Sequence, residues 1–398
     1  MLRSLVGSEM CIRDRLYPIL SAYIIYGPID LGVFLCTILG VFVLLKNNVK
    51  SLRLPRLLLA FFIYTILAAI VVTHSFPLRL ALYIILLALV CSFLNFDQIF
   101  CYYKRTSIVC ILFFFVQEIM LIFTGVSIPG VFSFLPTVYG DGTAAYFESH
   151  QEVVRQASFF LEPSYFAQFL LPWVIIELFA GGKKHIRTAI YISVVILFIR
   201  SGVGVLVMAI SWFLWLLFAN MRRRKKIGIV LFACVFLLLV FAISPEIVDS
   251  LLGRMNELSI NGADERFQTS GFIRFFRGYY LYAGLPFINM VFGMNPSEIN
   301  DFMMRNTMGL FDKDMSFING VATILCQYGA IGLALFSFHM FSFIRKGSYV
   351  KSVLAVSIIL ILFAESYFIC SRMLLAVGLC CTYPVSYTHL TLPTTERV

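Results

Sequence analysis

Two polar stretches interrupt an otherwise apolar chain, and each carries side chains able to do chemistry. The first reads Arg155-Gln156-Ala157-Ser158-Phe159-Phe160-Leu161-Glu162-Pro163-Ser164-Tyr165-Phe166. Proline suits the first position of a helix, where its missing N–H would be unsatisfied in any case. Glu162 then stands at the helix N-terminus, where the dipole favours an ionised carboxylate. Such a group is either a plain cap paired with Arg155 or an acceptor of a hydrogen bond from an attacking hydroxyl. A dipole-stabilised carboxylate is a weak base, so the second role is more one of orienting than of deprotonating.

The second stretch places Arg266, Ser270, Arg274 and Arg277 at spacings of four, four and three. On a helix these positions form one stripe about 80° wide. Asp264 and Glu265 suit the start of that helix, and Gly284 with Pro286 suits its end. Phe267, Phe275 and Tyr279 fall on the other face, as expected of a helix lying against a membrane. Gly271 inside it costs about 1 kcal/mol relative to Ala. Three arginines on one face repel one another unless an anion sits there. Guanidinium forks match phosphate oxygens, and each charge-assisted bond contributes about 1.5–3 kcal/mol. A diphosphate at the membrane surface fits. So do lipid headgroups, or pairing with Asp264 and Glu265, because interfacial basic helices are common.

Other patterns carry less. No GxxxxGK[ST] phosphate loop occurs, so nucleotide hydrolysis is not expected as the energy source. Neither HExxH nor paired CxxC occurs, and no metal or cofactor is expected. The ten Cys are scattered through apolar runs, where Cys acts as a small hydrophobe. Asp312-Lys313-Asp314 matches a loose DxD pattern, but three-residue matches are common. His150 has no partner pattern. Glu118, Arg200 and Glu365 lie within apolar spans and should face protein or a water-filled cavity.

The elements that position these residues follow from composition. The chain has 398 residues, 60% apolar and 13% charged, with 41 Phe. That composition excludes a disordered chain and an ordinary soluble domain. A bilayer span needs about 20 mostly apolar residues. Spans are expected near 16–27, 29–45, 57–73, 79–95, 106–125, 164–180, 188–200, 203–219, 227–243, 321–344 and 352–370, with a partial twelfth from about 373. The pair 188–200 and 203–219 reads as a tight hairpin around Arg200-Ser201-Gly202.

Basic loops follow every second span: Lys46, Lys50, Arg53 and Arg56; Lys104 and Arg105; Lys183, Lys184 and Arg187; Arg222 to Lys226; Arg345, Lys346 and Lys351. The positive-inside rule assigns them to the cytoplasm. Segments 126–163 and 244–320 then fall on the outer side, with four acids against Arg155 in one and nine acids against six bases in the other. The net charge of +10 is thus a topology signal, and no nucleic-acid partner is expected. The fold class is all-α, multi-pass and membrane-integral.

Residues 1–15 contain Ser8-Glu9-Met10-Cys11-Ile12-Arg13-Asp14-Arg15 and resemble translated sequencing-adapter read-through, as do residues 385–398. A single transmembrane domain is expected over 16–384.

The first polar stretch resembles the Arg…Phe-x-Glu-Pro-Ser-Tyr-Phe segment of the O-antigen and exopolysaccharide polymerases, in the O-antigen ligase-polymerase superfamily. Arg200-Ser201-Gly202 is similar to their short Ser/Arg/Gly-containing hairpin. Thr269-Ser270-Gly271 through Arg274 to Phe292-Gly293-Met294-Asn295 resembles their second large periplasmic loop. Asn319 and Tyr328-Gly329-Ala330-Ile331-Gly332 resemble the helix that follows. The resemblance spans roughly residues 29–370.

The resemblance implies a GT-C-like membrane glycosyltransferase that joins undecaprenyl-diphosphate-linked repeat units at the outer face of the bacterial inner membrane. Arg155, Glu162 and Arg274 would be catalytic, and Arg266, Ser270, Arg277, Tyr165 and Asn319 would bind substrate. Family analogy adds the bilayer and a chain-length regulator as partners. Ligases of the superfamily often carry His before that Asn; Ile318 stands here, which favours polymerase over ligase. A polysaccharide flippase is the remaining alternative, although no internal repeat of the transporter kind is visible.

Overall fold

A computed structural model of the chain describes residues 20, 22–26, 29–47, 54–74, 76–131, 156–180, 182–218, 277–295, 298–299, 302, 318–345 and 348–384. The described chain is mostly helical. Short strands β1 (Ile24–Tyr26) and β2 (Ile29–Asp30) pair antiparallel and lead into α1 (Leu31–Asn47). There follow α2 (Arg56–Ala68, continued as a π-turn to Thr73), α3 (Leu78–Phe93) and α4 (Phe96–Thr124). Next come α5 (Pro163–Ala180), α6 (Lys183–Ile199) and α7 (Gly202–Phe218). Two one-turn helices, α8 (Gly278–Ala283) and α9 (Phe287–Phe292), precede α10 (Gly320–Arg345), α11 (Tyr349–Ala364) and α12 (Ser371–Thr382).

Among the described residues, three helices are long and apolar enough to cross a bilayer: Phe96–Thr124, Pro163–Ala180 and Gly320–Ile344. Several shorter ones are apolar as well, and the set is compatible with a membrane protein. Helix α5 is the axis of the packing. Thirteen of its residues are buried, and α6, α7 and α11 lie against it. Helices α6 and α7 meet at a turn of only Arg200 and Ser201, with Arg200 in the left-handed region at φ 58°. Gly204 lets α7 approach α5 at Ala167.

Three departures from the sequence expectation stand out. Ile24–Tyr26 is a strand where a span over 16–27 was expected, because it pairs with Ile29–Asp30 across a turn-favouring Gly-Pro sequence. Helix α4 begins ten residues before the expected 106. Asn95 and Gln98 form a capping box there, and Lys104 and Arg105 extend from a helix whose other side is buried. Helix α11 stops at Ala364, not 370, because Glu365 turns into an extended backbone whose carbonyl accepts the Gly320 N–H at 2.8 Å. The partial twelfth span is a real helix, capped by Cys370. The span expected at 227–243 lies outside the described residues.

Helix α10 is broken at Gly329, whose φ of 69° and ψ of −176° are accessible essentially only to glycine. There the end of α9 crosses it: a Cβ on Gly329 would collide with the Val291 carbonyl, and one on Gly293 with the Gln327 carbonyl. The Tyr64 hydroxyl donates to the Tyr328 carbonyl at 2.8 Å across the break. The break therefore joins α2, α9 and α10.

The starts of α1, α3, α5, α10 and α12 gather at one end of the bundle. Tyr83 of α3 reaches Asp30 before α1, the start of α10 bonds to Glu365, and Arg372 of α12 lies on Tyr165 of α5. The opposite end holds an open cavity of about 710 Å³, lined by residues such as Pro55, Cys91, Asn95 and Thr382. Near that end Glu177 is buried and accepts from Trp173 Nε1 at 3.0 Å, with His185 Nδ1 at 2.5 Å and Lys104 at 3.9 Å. It holds α4, α5 and the start of α6 together.

Candidate functional site

The site at the helix starts is built from three segments. The first is 156–166. Ser158 sits at φ 55° and its hydroxyl donates to the Cys110 carbonyl at 2.7 Å. Gln117 Nε2 donates to the Ile128 carbonyl at 2.8 Å and reaches the Ser158 carbonyl at 3.4 Å. Gly130 allows this approach, since any Cβ there would enter the Ser158 carbonyl. Phe159 stacks on Phe113 with ring centres 4.2 Å apart. The result is a pinned approach to Pro163, the first residue of α5.

Glu162 is the residue before that helix, as the Glu-Pro order predicts. Its carbonyl accepts the Tyr165 and Phe166 N–H groups at 3.0 and 3.3 Å. Ser164 Oγ donates to its carboxylate at 3.0 Å, which fixes the side chain while leaving it half-buried and reachable. A carboxylate offers several acceptor positions, of which Ser164 occupies one.

The second segment is the start of α10. Asn319 is fully buried, and its Oδ1 accepts the Ala322 N–H at 2.8 Å, capping the helix. Arg277, also buried, precedes α8, which packs on α10 through Gly278 against Ala322. Tyr279 faces Asn319; burial pushes the tyrosine hydroxyl up, with Asn319 pulling it back, so it stays a neutral donor.

The third segment, 365–372, joins the other two and was not recognised in the sequence as functional. Its Glu365 carbonyl bonds to Gly320, while its Arg372 guanidinium lies 3.5 Å from the Tyr165 ring centre and 5.9 Å from that of Tyr367. Ile369 occupies the left-handed region at φ 52°, an outlier for a β-branched residue. Such strain persists only where surrounding structure over-determines it. Arg79, at the start of α3, acts electrostatically on Asp30, Tyr83, Cys370 and Tyr328. A charge inside an apolar run was the available signal for Arg372, and Arg79 opens an apolar run in the same way.

Of the residues singled out in the sequence, the structure places Glu162 and Tyr165 together at the start of α5, and Arg277 and Asn319 where α8 packs on the start of α10. Tyr165 is linked to the Asn319 side through segment 365–372. Arg155, Arg266, Ser270 and Arg274 lie outside the described residues, as do His150 and Asp312-Lys313-Asp314. Glu118, toward the far end of α4, is half-buried, with Arg200 and the Gln156 backbone N–H acting on its carboxylate. The eight described cysteines are free thiols.

No family model matches the chain, and neither a curated protein nor a solved structure matches it.

Proposed function

We propose that the chain is a multi-pass membrane glycosyltransferase of GT-C-like architecture. It polymerises lipid-diphosphate-linked glycan repeat units at the outer face of the bacterial cytoplasmic membrane. The observation that carries this reading is a half-buried carboxylate, Glu162, at the same end of an apolar helical bundle as the buried arginines Arg277 and Arg372. That pairing suits a transfer in which a hydroxyl attacks and a diphosphate leaves. The charge pattern of the loops puts this end outside.

In the mechanism, Glu162 orients the acceptor hydroxyl and takes its proton as the new glycosidic bond forms. Guanidinium groups bind the departing diphosphate, and electrostatic stabilisation of its charge carries most of the rate. Arg274 and Arg155 are assigned to that clamp by the family resemblance, with Arg266 or Arg277 beside them. Asn319 is fully buried and caps α10, so together with the neighbouring Tyr279 it positions the start of that helix. The undecaprenyl diphosphate is both carrier and leaving group, so the reaction needs no nucleotide.

The test is polymer length in a deletion strain complemented with variants. Arg155→Ala and Arg274→Ala should leave single repeat units at normal protein levels. Long chains in both would refute the arginine assignment. Long polymer left unattached would identify a ligase instead.

A further inference from the structure

Cysteine in an apolar helix usually packs as a small hydrophobe, as the buried Cys36, Cys110, Cys326 and Cys380 do. Cys91 and Cys381 differ. Both are half-buried, and both line the open cavity of about 710 Å³ at the end of the bundle opposite Glu162. Packing on either side sets their approach. Gly378 of α12 lies on Val90 and Leu87 of α3, and beyond it the Phe96 and Tyr383 rings meet edge to face with centres 4.7 Å apart. Cys91 follows Val90 directly, and Cys381 stands one turn past Gly378, so the two thiols fall between these contacts. They lie within hydrogen-bonding reach of each other, and both are free. Asn95, Asp97 and Thr382 line the same cavity, so polar solutes reach the pair. Packing alone would be served there by any small apolar side chain.

We propose that Cys91 and Cys381 form a reversible disulfide site that exchanges with small disulfides of the glutathione type. The thiolate of one cysteine attacks a sulfur of glutathione disulfide, which breaks the S–S bond and releases one glutathione. The second cysteine gives up its proton and attacks the protein sulfur of the mixed disulfide, releasing the second glutathione. Two electrons pass from the protein thiols to the small disulfide, and its two halves carry off the two protons. The new bond ties the end of α12 to the end of α3. Cys380, beside Cys381 in the chain, is buried and takes no part. On the orientation set by the basic loops this end is cytoplasmic, where glutathione keeps thiols reduced, so the bond forms under oxidising stress. The exchange itself does not depend on the polymerase reading.

The test uses purified full-length chain, folded in neutral detergent and equilibrated in buffers of rising glutathione disulfide to glutathione ratio. Remaining thiols are alkylated, and the peptides are read by mass spectrometry. The expected product is a Cys91–Cys381 cross-link that excess glutathione reverses. Cys101, exposed on α4, serves as the comparison thiol. Because the second thiol is held beside the first, the cross-link should need about tenfold less oxidant than the mixed disulfide at Cys101. Cys91→Ser and Cys381→Ser should each abolish the cross-link and leave glutathione on the remaining thiol. The wild-type peptides decide the matter without either variant. Glutathione on both cysteines with no cross-link, both still reduced where Cys101 is modified, or a bond to Cys380 instead would overturn the proposal.

Discussion

Glu162 is legible in the sequence because a proline fixes where its helix starts, and that locates one carboxylate without any tertiary information. Its hydrogen bond from Ser164 adds the detail that the carboxylate is held in place and half-buried. Glu162→Gln keeps the size and the hydroxyl contact but removes the base. Polymerisation should fall about 10²-fold or more, the usual contribution of general acid–base groups, with unchanged membrane abundance. A plain cap would leave the rate near that of wild type. Arg372, by contrast, could not be found from spacing. Its partner Tyr165 lies in a different helix, and only folding puts the guanidinium on the ring. A charge that opens an apolar helix was the available hint.

At the scale of elements, apolar runs were enough to locate most of the longer described helices but not the strand at Ile24–Tyr26, and helix ends depended on polar contacts that hydropathy does not register. The capping box at Asn95 and the Glu365–Gly320 bond are examples. The break at Gly329 was visible only as a Gly in a motif. Its consequence, the crossing with Gly293, needed coordinates. Gly329→Ala places a Cβ in a Gly-only conformation and against the Val291 carbonyl. The loss of stability should exceed about 3 kcal/mol, read as a lower unfolding temperature of the detergent-purified chain. Tyr64→Phe, which removes only the bond across the break, should cost about 1 kcal/mol by the same measurement. At the other end of the bundle, Glu177→Ala should destabilise by about 1–3 kcal/mol, because Trp173 Nε1 loses its buried acceptor. Its effect on polymer length should follow protein level alone.

For the molecule as a whole, the distribution of charge says more than its sum. Basic residues after alternate spans predict that 126–163 and 244–320 share one side of the membrane, opposite Arg222 to Lys226. Single cysteines introduced at Val126 and Ser297 should react with an impermeant maleimide in intact cells, and one at Arg223 should not. The central claim is that this chain itself forms glycosidic bonds from lipid-diphosphate donors. Purified protein incubated with undecaprenyl-diphosphate-linked repeat units, with no nucleotide and no ion gradient, tests it most directly. Wild-type protein should yield a ladder of longer lipid-linked glycans that Glu162→Gln does not make. Unchanged single repeat units with the wild-type protein would contradict it.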